Sequence, residues 1–150
     1  MILVLIFSLL LIPGLFAQPT EYDKYLTVAD IQKVTGLTGI KQVPRDPKKG
    51  AGGHLNFADE KGNMILLASF LTAEEFDFYK SEEGLVKEKI PGLGDEAFSG
   101  PAAGTPYMVV MRKGSKGAAL STFFETAEMT ATRLSMDHLI SLSKIVLSRL

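Results

Sequence analysis

Three stretches of the chain repeat apolar residues at helical spacing, and each follows a residue that caps helices. In LTVADIQKVTGL, residues 26–37, the cap is Thr27, and Asp30 follows it three residues later. TAEEFDFYKSEEG begins with Thr72 and has Glu75 at the same offset, and SMDHLISLSKIVLSRL begins with Ser135. A hydroxyl followed three residues later by an acid is typical of a capping box. The pattern therefore predicts three amphipathic helices.

Between these helices, short apolar runs are separated by turns rich in glycine. Residues 54–58 and 63–71 read as one hairpin, in which Gly62 supplies the positive φ that tight turns require. Residues 107–112 and 118–124 read as a second hairpin around a Gly-Ser-Lys-Gly turn. Strands joined by such short turns must run antiparallel.

The order of these elements predicts the fold class. A strand, a hairpin and a helix occur over residues 40–84, and a strand, a hairpin and a helix occur again over 96–150. This is a weak internal duplication of pattern, without sequence identity between the halves. We expect a single α+β domain over residues 26–150, with an antiparallel sheet, or two sheet layers, and helices packed on one face.

The apolar pattern changes at the N-terminus, where residues 1–17 carry no charge. Pro13 and Gly14 interrupt this run, and Ala17 precedes the polar stretch 18–25. An apolar run of this length before a small residue is typical of a signal peptide and is too short for a membrane span. We expect cleavage after Ala17, a short linker over 18–25, and export to the periplasm or the medium. An uncleaved membrane anchor is the main alternative, and a buried core helix is a third.

Composition narrows the function classes. The chain has no cysteine, which excludes disulfides, thiolate metal sites, a cysteine nucleophile and an acylated cysteine. With 16 basic and 17 acidic residues, it lacks the charge excess of a nucleic-acid-binding protein, so we expect no nucleic-acid partner. Basic residues gather in two predicted loops, where solvated turn residues are favoured over an anion site. These residues are Lys41, Arg45, Lys48 and Lys49 in one loop and Arg112, Lys113 and Lys116 in the other.

The stretch EKIPGLGDEAFSG, residues 88–100, is the most unusual motif in the chain. It has the Gly-x-Gly of a dinucleotide loop, but no third glycine and no helix follow it, and it lacks the Gly-Lys-Ser/Thr ending of a phosphate loop. Asp95 and Glu96 point to opposite sides of a strand, which disfavours a shared calcium ion. We interpret the stretch as a structural turn in which Asp95 accepts backbone hydrogen bonds. The alternative is a surface loop that binds a partner.

Catalytic and metal-binding constellations are missing from the sequence pattern. Neither His54 nor His138 belongs to an H-x-x-x-H or H-E-x-x-H motif, and Ser115 stands in a turn rather than on a nucleophile elbow. We therefore assign no catalytic residue, no metal and no cofactor. The residues retained as ligand- or partner-binding candidates lie in two glycine-rich loops: Gly52, Gly53, His54, Gly92, Gly94 and Asp95.

The order LTVADIQKVTGL, a hairpin, IPGLGDEAF, a strand pair and LISLSKIVLSRL resembles the extracellular domains of bacterial exported proteins, many of them lipoproteins of unknown function. The extracellular sensor domain of a mycobacterial receptor Ser/Thr kinase has a similar order. The resemblance covers most of the mature chain, and its sharpest piece is GLGDEA, residues 92–97. The chain departs from this group in lacking the acylated and the paired cysteines. The resemblance implies no reaction and no catalytic residue.

These observations favour an exported, non-enzymatic envelope protein that binds a small ligand or an envelope protein through its glycine-rich loops. The membrane is expected as a partner only through the leader, if the leader is retained. Two alternatives stay open. One is a small envelope hydrolase, which requires His54 or His138 to converge with Asp95, Glu96 or Ser115. The other is a structural or adhesive protein, which requires an exposed strand edge or a large apolar patch.

Overall fold

The computed structural model describes residues 20–44, 53–82, 88–102, 105–124 and 133–150. The expected signal peptide, residues 1–17, and the candidate residue Gly52 lie outside these ranges. Within them, no helix combines the length and the apolar character needed to cross a membrane.

The described residues form one antiparallel sheet. Its seven strands in the described ranges are β1 (Lys41–Val43), β2 (Gly53–Ala58), β3 (Met64–Leu71), β4 (Glu88–Lys89), β5 (Glu96–Ala102), β6 (Thr105–Lys113) and β7 (Lys116–Thr122). Their spatial order is β1-β2-β3-β7-β6-β5-β4. Both hairpins predicted from the sequence are confirmed, since β2 pairs with β3 and β6 pairs with β7. The pairing of β3 with β7 joins the two halves of the chain at the middle of the sheet.

Three helices in the described part of the chain accompany this sheet, and all three begin at the predicted caps. They are α1 (Val28–Thr35), α2 (Ala73–Ser81) and α3 (Met136–Arg149). Each N-terminus carries a complete capping box, built from Thr27 and Asp30, from Thr72 and Glu75, and from Ser135 and His138. In α3, the imidazole of His138 takes the place of the usual acid and accepts a hydrogen bond from the Ser135 backbone amide. The caps explain why these helices begin where they do.

The larger core lies between one face of the sheet and the pair α1 and α3. Val109 and Met111 of β6 share this cluster with Ile31 of α1 and with Leu139 and Leu142 of α3. All five side chains are fully buried. Burial on this scale is the main source of the stability of the fold.

A smaller core lies on the opposite face. There Phe76 of α2 packs against Phe98, Met108, Val110 and Ala119 of the central strands. Successive residues of a strand point to opposite faces, so a central strand that is apolar on both sides needs a cover on both sides. The predicted α+β class is therefore confirmed. The expectation that the helices pack on one face is corrected, because α2 covers the face opposite α1 and α3. The internal duplication stays a prediction.

The segment expected as a linker is folded where it is described. The ring of Tyr22 stacks on Phe70 of β3 with centroids 5.0 Å apart, and Tyr25 packs on the same ring. The Gln42 side-chain amide donates to Asp23 over 2.7 Å. Residues 20–25 thus extend the larger core along β2 and β3.

Candidate functional site

The two predicted glycine-rich loops do not meet in the fold. The β pairings run from Gly53 through Phe70, Ala118 and Met111 to Ala97, the last residue of GLGDEA. Four steps between neighbouring strands separate the two ends of this row. At about 4.8 Å a step, that is roughly 19 Å. A single site built from both loops is therefore excluded for the described candidates, and the two segments have to be considered separately.

The GLGDEA segment leads from β4 into β5, and its side chains and backbone make structural contacts with the rest of the sheet. Leu93 is buried in the larger core, and Gly94, at φ 68°, lies against the backbone carbonyl of Arg112, where any Cβ would collide. The Asp95 carboxylate accepts a hydrogen bond of 2.7 Å from the Gly114 backbone amide. The sequence predicts that Asp95 accepts backbone hydrogen bonds within its own turn. In the structure its carboxylate instead stabilises the β6–β7 turn.

A cleft of about 380 Å³ opens beside this segment, and three of its charged lining residues, Asp95, Glu96 and Arg112, are engaged in contacts within the fold. Glu96 in its wall accepts from Lys80 of α2 at 2.7 Å and from Arg112 at 3.2 Å. The hydrogen bond from Lys80 and the nearby positive charges hold the pKa of Glu96 below its usual range. This cluster fastens one flank of α2 to the sheet, so Glu96 and Arg112 already have partners within the fold.

The other predicted pair, Gly53 and His54, lies at the start of β2, and the two residues face opposite sides of the sheet. A Cβ on Gly53 would overlap the ring of Tyr22, so the missing side chain makes room for the Tyr22–Phe70 stack on the larger core. His54 is half-buried on the opposite face, the α2 side of the sheet. Gly53 is thus a packing residue, and His54 borders an open groove.

This groove, which we name the α2 groove, runs between the open flank of α2 and the ends of β2 and β3. Its volume is about 330 Å³, at the lower end of the range for small-molecule sites. Its lining mixes aromatic, hydroxyl, imidazole and carboxylate groups. The lining residues are Gly53, His54, Ser69, Phe70, Leu71, Glu75, Phe78 and Tyr79.

Two aromatic rings form a corner at the rim of the α2 groove. The rings of Phe78 and Tyr79 lie 6.3 Å apart with planes at 81°. Phe78 is 65% exposed, the most exposed large apolar side chain in the described ranges. The sequence reading did not single it out. At 100° a residue, however, Phe78 stands about 200° from the buried Phe76 on the helix, so helical spacing alone would have placed it outward.

Negative charge borders the same corner. Burial raises the pKa of Tyr79, and the carboxylates of Glu82 and Glu75 raise it further by opposing a second negative charge. Glu75 keeps one oxygen, Oε2, in the capping box, where it accepts from the Thr72 backbone amide at 2.8 Å. Lys80 of α2, and Arg112, which contacts Asp77 and the ring of Phe76, are engaged on the other flank of the helix.

The catalytic arrangement required by the hydrolase alternative is not assembled from the predicted residues. Asp95 and Ser115 lie near the β6–β7 turn. His54 is two strands away from β7 and level with Ala119, four residues along the strand from Ser115. His138 lies in the first turn of α3, and the other end of this helix reaches the β6–β7 turn through the bond from Lys113 Nζ to the Leu147 carbonyl. Nine residues of helix separate His138 from Leu147, roughly 14 Å. In the described ranges, no three His, Asp or Glu side chains group as metal ligands.

The second basic loop has a structural role. Lys113 and Lys116 donate to the carbonyls of Leu147 and Leu150 at the C-terminal end of α3, where cations and donors are favoured. In the first loop, Lys41 donates to the Glu60 carbonyl. The other basic residues of that loop, 45, 48 and 49, lie outside the described residues.

Comparisons of the chain with protein-family models, with curated proteins and with solved structures find no match.

Proposed function

We propose that this chain is an exported, non-enzymatic binding domain of a bacterial envelope and that the α2 groove is its ligand site. The observation that carries the proposal is the exposure of Phe78 beside half-buried Tyr79 at the rim of a concave surface. A single exposed apolar side chain is common on protein surfaces. An exposed ring that continues the wall of a groove is less so, because a ligand there removes apolar area from water while polar groups orient it.

The way α2 is held supports the same site. Phe76 is its one buried residue, and the ionic contacts of Lys80 and Asp77 lie on the flank that faces β5 and β6. The opposite flank, with Glu75 and Phe78, contacts the groove. The helix is thus fixed on one side and open on the other, as expected for an element that forms one wall of a site.

Export rests on the uncharged leader, on the absence of cysteine and on the resemblance to exported bacterial proteins. We expect the full chain, expressed in a bacterium with a C-terminal tag, to appear outside the cytoplasm with Gln18 at its N-terminus. Cell fractionation and the intact mass of the purified protein measure both. A cytosolic protein that retains residues 1–17 would contradict the proposal.

The binding role is tested by a thermal-shift screen of metabolites and envelope fragments against the purified protein. A ligand that binds only the folded state raises the melting temperature by mass action. We expect the shift for any hit to be lost in Phe78→Ala, while the melting temperature without ligand stays unchanged because the ring is largely exposed. Hits that stabilise the protein and the variant equally would place the site elsewhere.

One observation favours the hydrolase alternative: His54, Ser69 and Glu75 line the same groove, and His54 and Ser69 are paired across β2 and β3. A serine, an imidazole and a carboxylate are the groups that nucleophilic acyl transfer uses. If the groove hydrolyses esters, p-nitrophenyl acetate turnover should disappear in Ser69→Ala. Equal rates for the protein and the variant would remove this alternative. The adhesive alternative stays a prediction, and the described edge strands, β1 and β4, are short, which disfavours edge-to-edge association.

A further inference from the structure

We propose that the α2 groove recognises the quaternary ammonium head of a free small molecule, through the aromatic corner of Phe78 and Tyr79 and the negative charge beside it. This inference rests on the proposed binding function and names the class of ligand.

The aromatic corner is the first step. The faces of aromatic rings carry partial negative charge and attract cations, and ammonium groups without N–H donors depend on this attraction most. Two rings whose planes stand at 81° present faces in different directions around one point. A bulky, weakly hydrated cation can contact both rings at once, whereas a flat aromatic ligand can stack on only one.

Charge is the second step. Glu75 lines the groove, and Glu82 acts on the Tyr79 hydroxyl from the same side of the helix. Lys80 lies on the other flank, bonded to Glu96. Among the described lining residues, Glu75 is the one acidic side chain, and none is a lysine or an arginine. A cation gains from this field and an anion is opposed by it.

The size of the groove is the third step, and it favours a free small molecule over a head group carried by a membrane lipid. The groove holds about 330 Å³ and is closed on one side by the sheet, at Ser69 and Leu71. That space suits a small molecule of the size of choline or somewhat larger. A head group carried by a bilayer would have to bring a flat membrane against the rim, where the acidic residues Glu74 and Glu75 are exposed. Such a rim is repelled by anionic lipid.

The probe pair that tests the inference is choline and 3,3-dimethylbutan-1-ol, which have the same shape and differ in one atom, a charged nitrogen against a neutral carbon. Each is titrated into the ¹⁵N-labelled protein, and dissociation constants are fitted from the amide shifts of residues that line the groove. We expect choline to bind about tenfold more tightly, the effect of a partly exposed cation–π contact assisted by a nearby carboxylate.

Matched variants test whether binding depends on the π face of Phe78 or only on its apolar bulk. They also test whether it depends on the position of the Glu75 charge. Phe78→Leu keeps an apolar side chain but loses the π face, so choline should weaken several-fold while the alcohol changes little. Glu75→Gln keeps the capping box, since Gln serves as well as Glu at that position, and should weaken choline only. Glu60→Gln removes the same charge from the β2–β3 turn, at the other end of these strands from the groove, and should change neither ligand.

The outcomes are distinct. Equal affinities for the two probes, or equal losses in Glu60→Gln and Glu75→Gln, would overturn the ammonium inference and leave the groove as a binding site. If neither probe moves the groove amides, and the metabolite screen yields no hit that depends on Phe78, the proposed function fails as well. Sedimentation with phosphatidylcholine vesicles should be absent. Sedimentation that free choline inhibits would instead assign the site to a lipid head group.

Discussion

The ion pair between Asp30 and Arg149 ties the first turn of α1 to the last turn of α3, and its removal should have a measurable, pH-dependent cost. The two guanidinium nitrogens of Arg149 donate to the two carboxylate oxygens of Asp30, at 2.6 and 2.8 Å. Both groups also sit at the helix ends that favour their charges. The geometry is the bidentate form in which such pairs are strongest.

The magnitude follows from the pKa of Asp30, which falls from an ordinary 3.8 to about 2, chiefly through the hydrogen bonds from Arg149 and with help from Thr27. At about 1.4 kcal/mol for each pH unit between the two values, the ionised carboxylate contributes about 2.5 kcal/mol. Arg149 is 35% exposed, so solvent weakens the pair. We expect a coupling free energy of about 1–2 kcal/mol at low salt.

The measurement is a double-mutant cycle of Asp30→Asn and Arg149→Met, with the free energy of unfolding taken from urea titrations. The cycle cancels the separate loss of the bond from Arg149 to the Tyr25 carbonyl. Because the folded state lowers the pKa of Asp30, its contribution is complete above about pH 4, the unfolded value. It is lost as the pH falls through about 2. The stability difference between the protein and Asp30→Asn should therefore narrow over that window. A coupling near zero at pH 7, or a difference that is constant from pH 7 to pH 2, would refute the reasoning.

Two further predictions concern the backbone of GLGDEA and the interior of α3. Gly92 and Gly94 both have positive φ, but only a Cβ on Gly94 would meet a backbone atom, the carbonyl oxygen of Arg112. Gly94→Ala should therefore lower the free energy of unfolding by about 1–3 kcal/mol more than Gly92→Ala in urea titrations, and equal losses would contradict the close approach. In the described part of α3, the Ser143 hydroxyl is buried without a hydrogen-bond partner. Ser143→Ala should raise the melting temperature by several degrees, corresponding to about 1 kcal/mol, and the exposed Ser141→Ala reports the part due to helix propensity alone. A Ser143→Ala gain no larger than that of Ser141→Ala would show that the buried hydroxyl costs nothing.

The helix ends and hairpins were predictable because their causes are local. Thr27 and Asp30 are three residues apart in sequence and touch in the structure, so the pattern alone contains the contact. Gly62 and Gly114 likewise occupy turn positions whose positive φ depends only on neighbouring residues. Short-range patterns of this kind predicted most of the element boundaries to within a few residues.

The site was not predictable in the same way, because the contacts that define it are distant in sequence. Nothing near Gly53 indicates that Tyr22 lies against it, and nothing near GLGDEA indicates that Asp95 braces the turn at Gly114. Two glycine-rich loops look alike in sequence, but the pairing of β3 with β7 places three strands between them. Glycine content therefore marked tight packing, and the binding surface that we propose is centred on an exposed aromatic residue of a helix, Phe78.

The two faces of the sheet are expected to contribute differently to stability and to binding. The face under α1 and α3 contains the larger cluster of buried residues and the Asp30–Arg149 pair, so substitutions there should act on global stability. The face under α2 contains a smaller cluster around Phe76, and the same helix forms a wall of the groove. A helix held by a small core and a few ionic contacts opens locally at lower cost than the rest of the domain. The α2 amides should then exchange hydrogen faster than those of α3, and a ligand in the groove should slow α2 selectively, which links the position of the smaller core to the place where binding is measured.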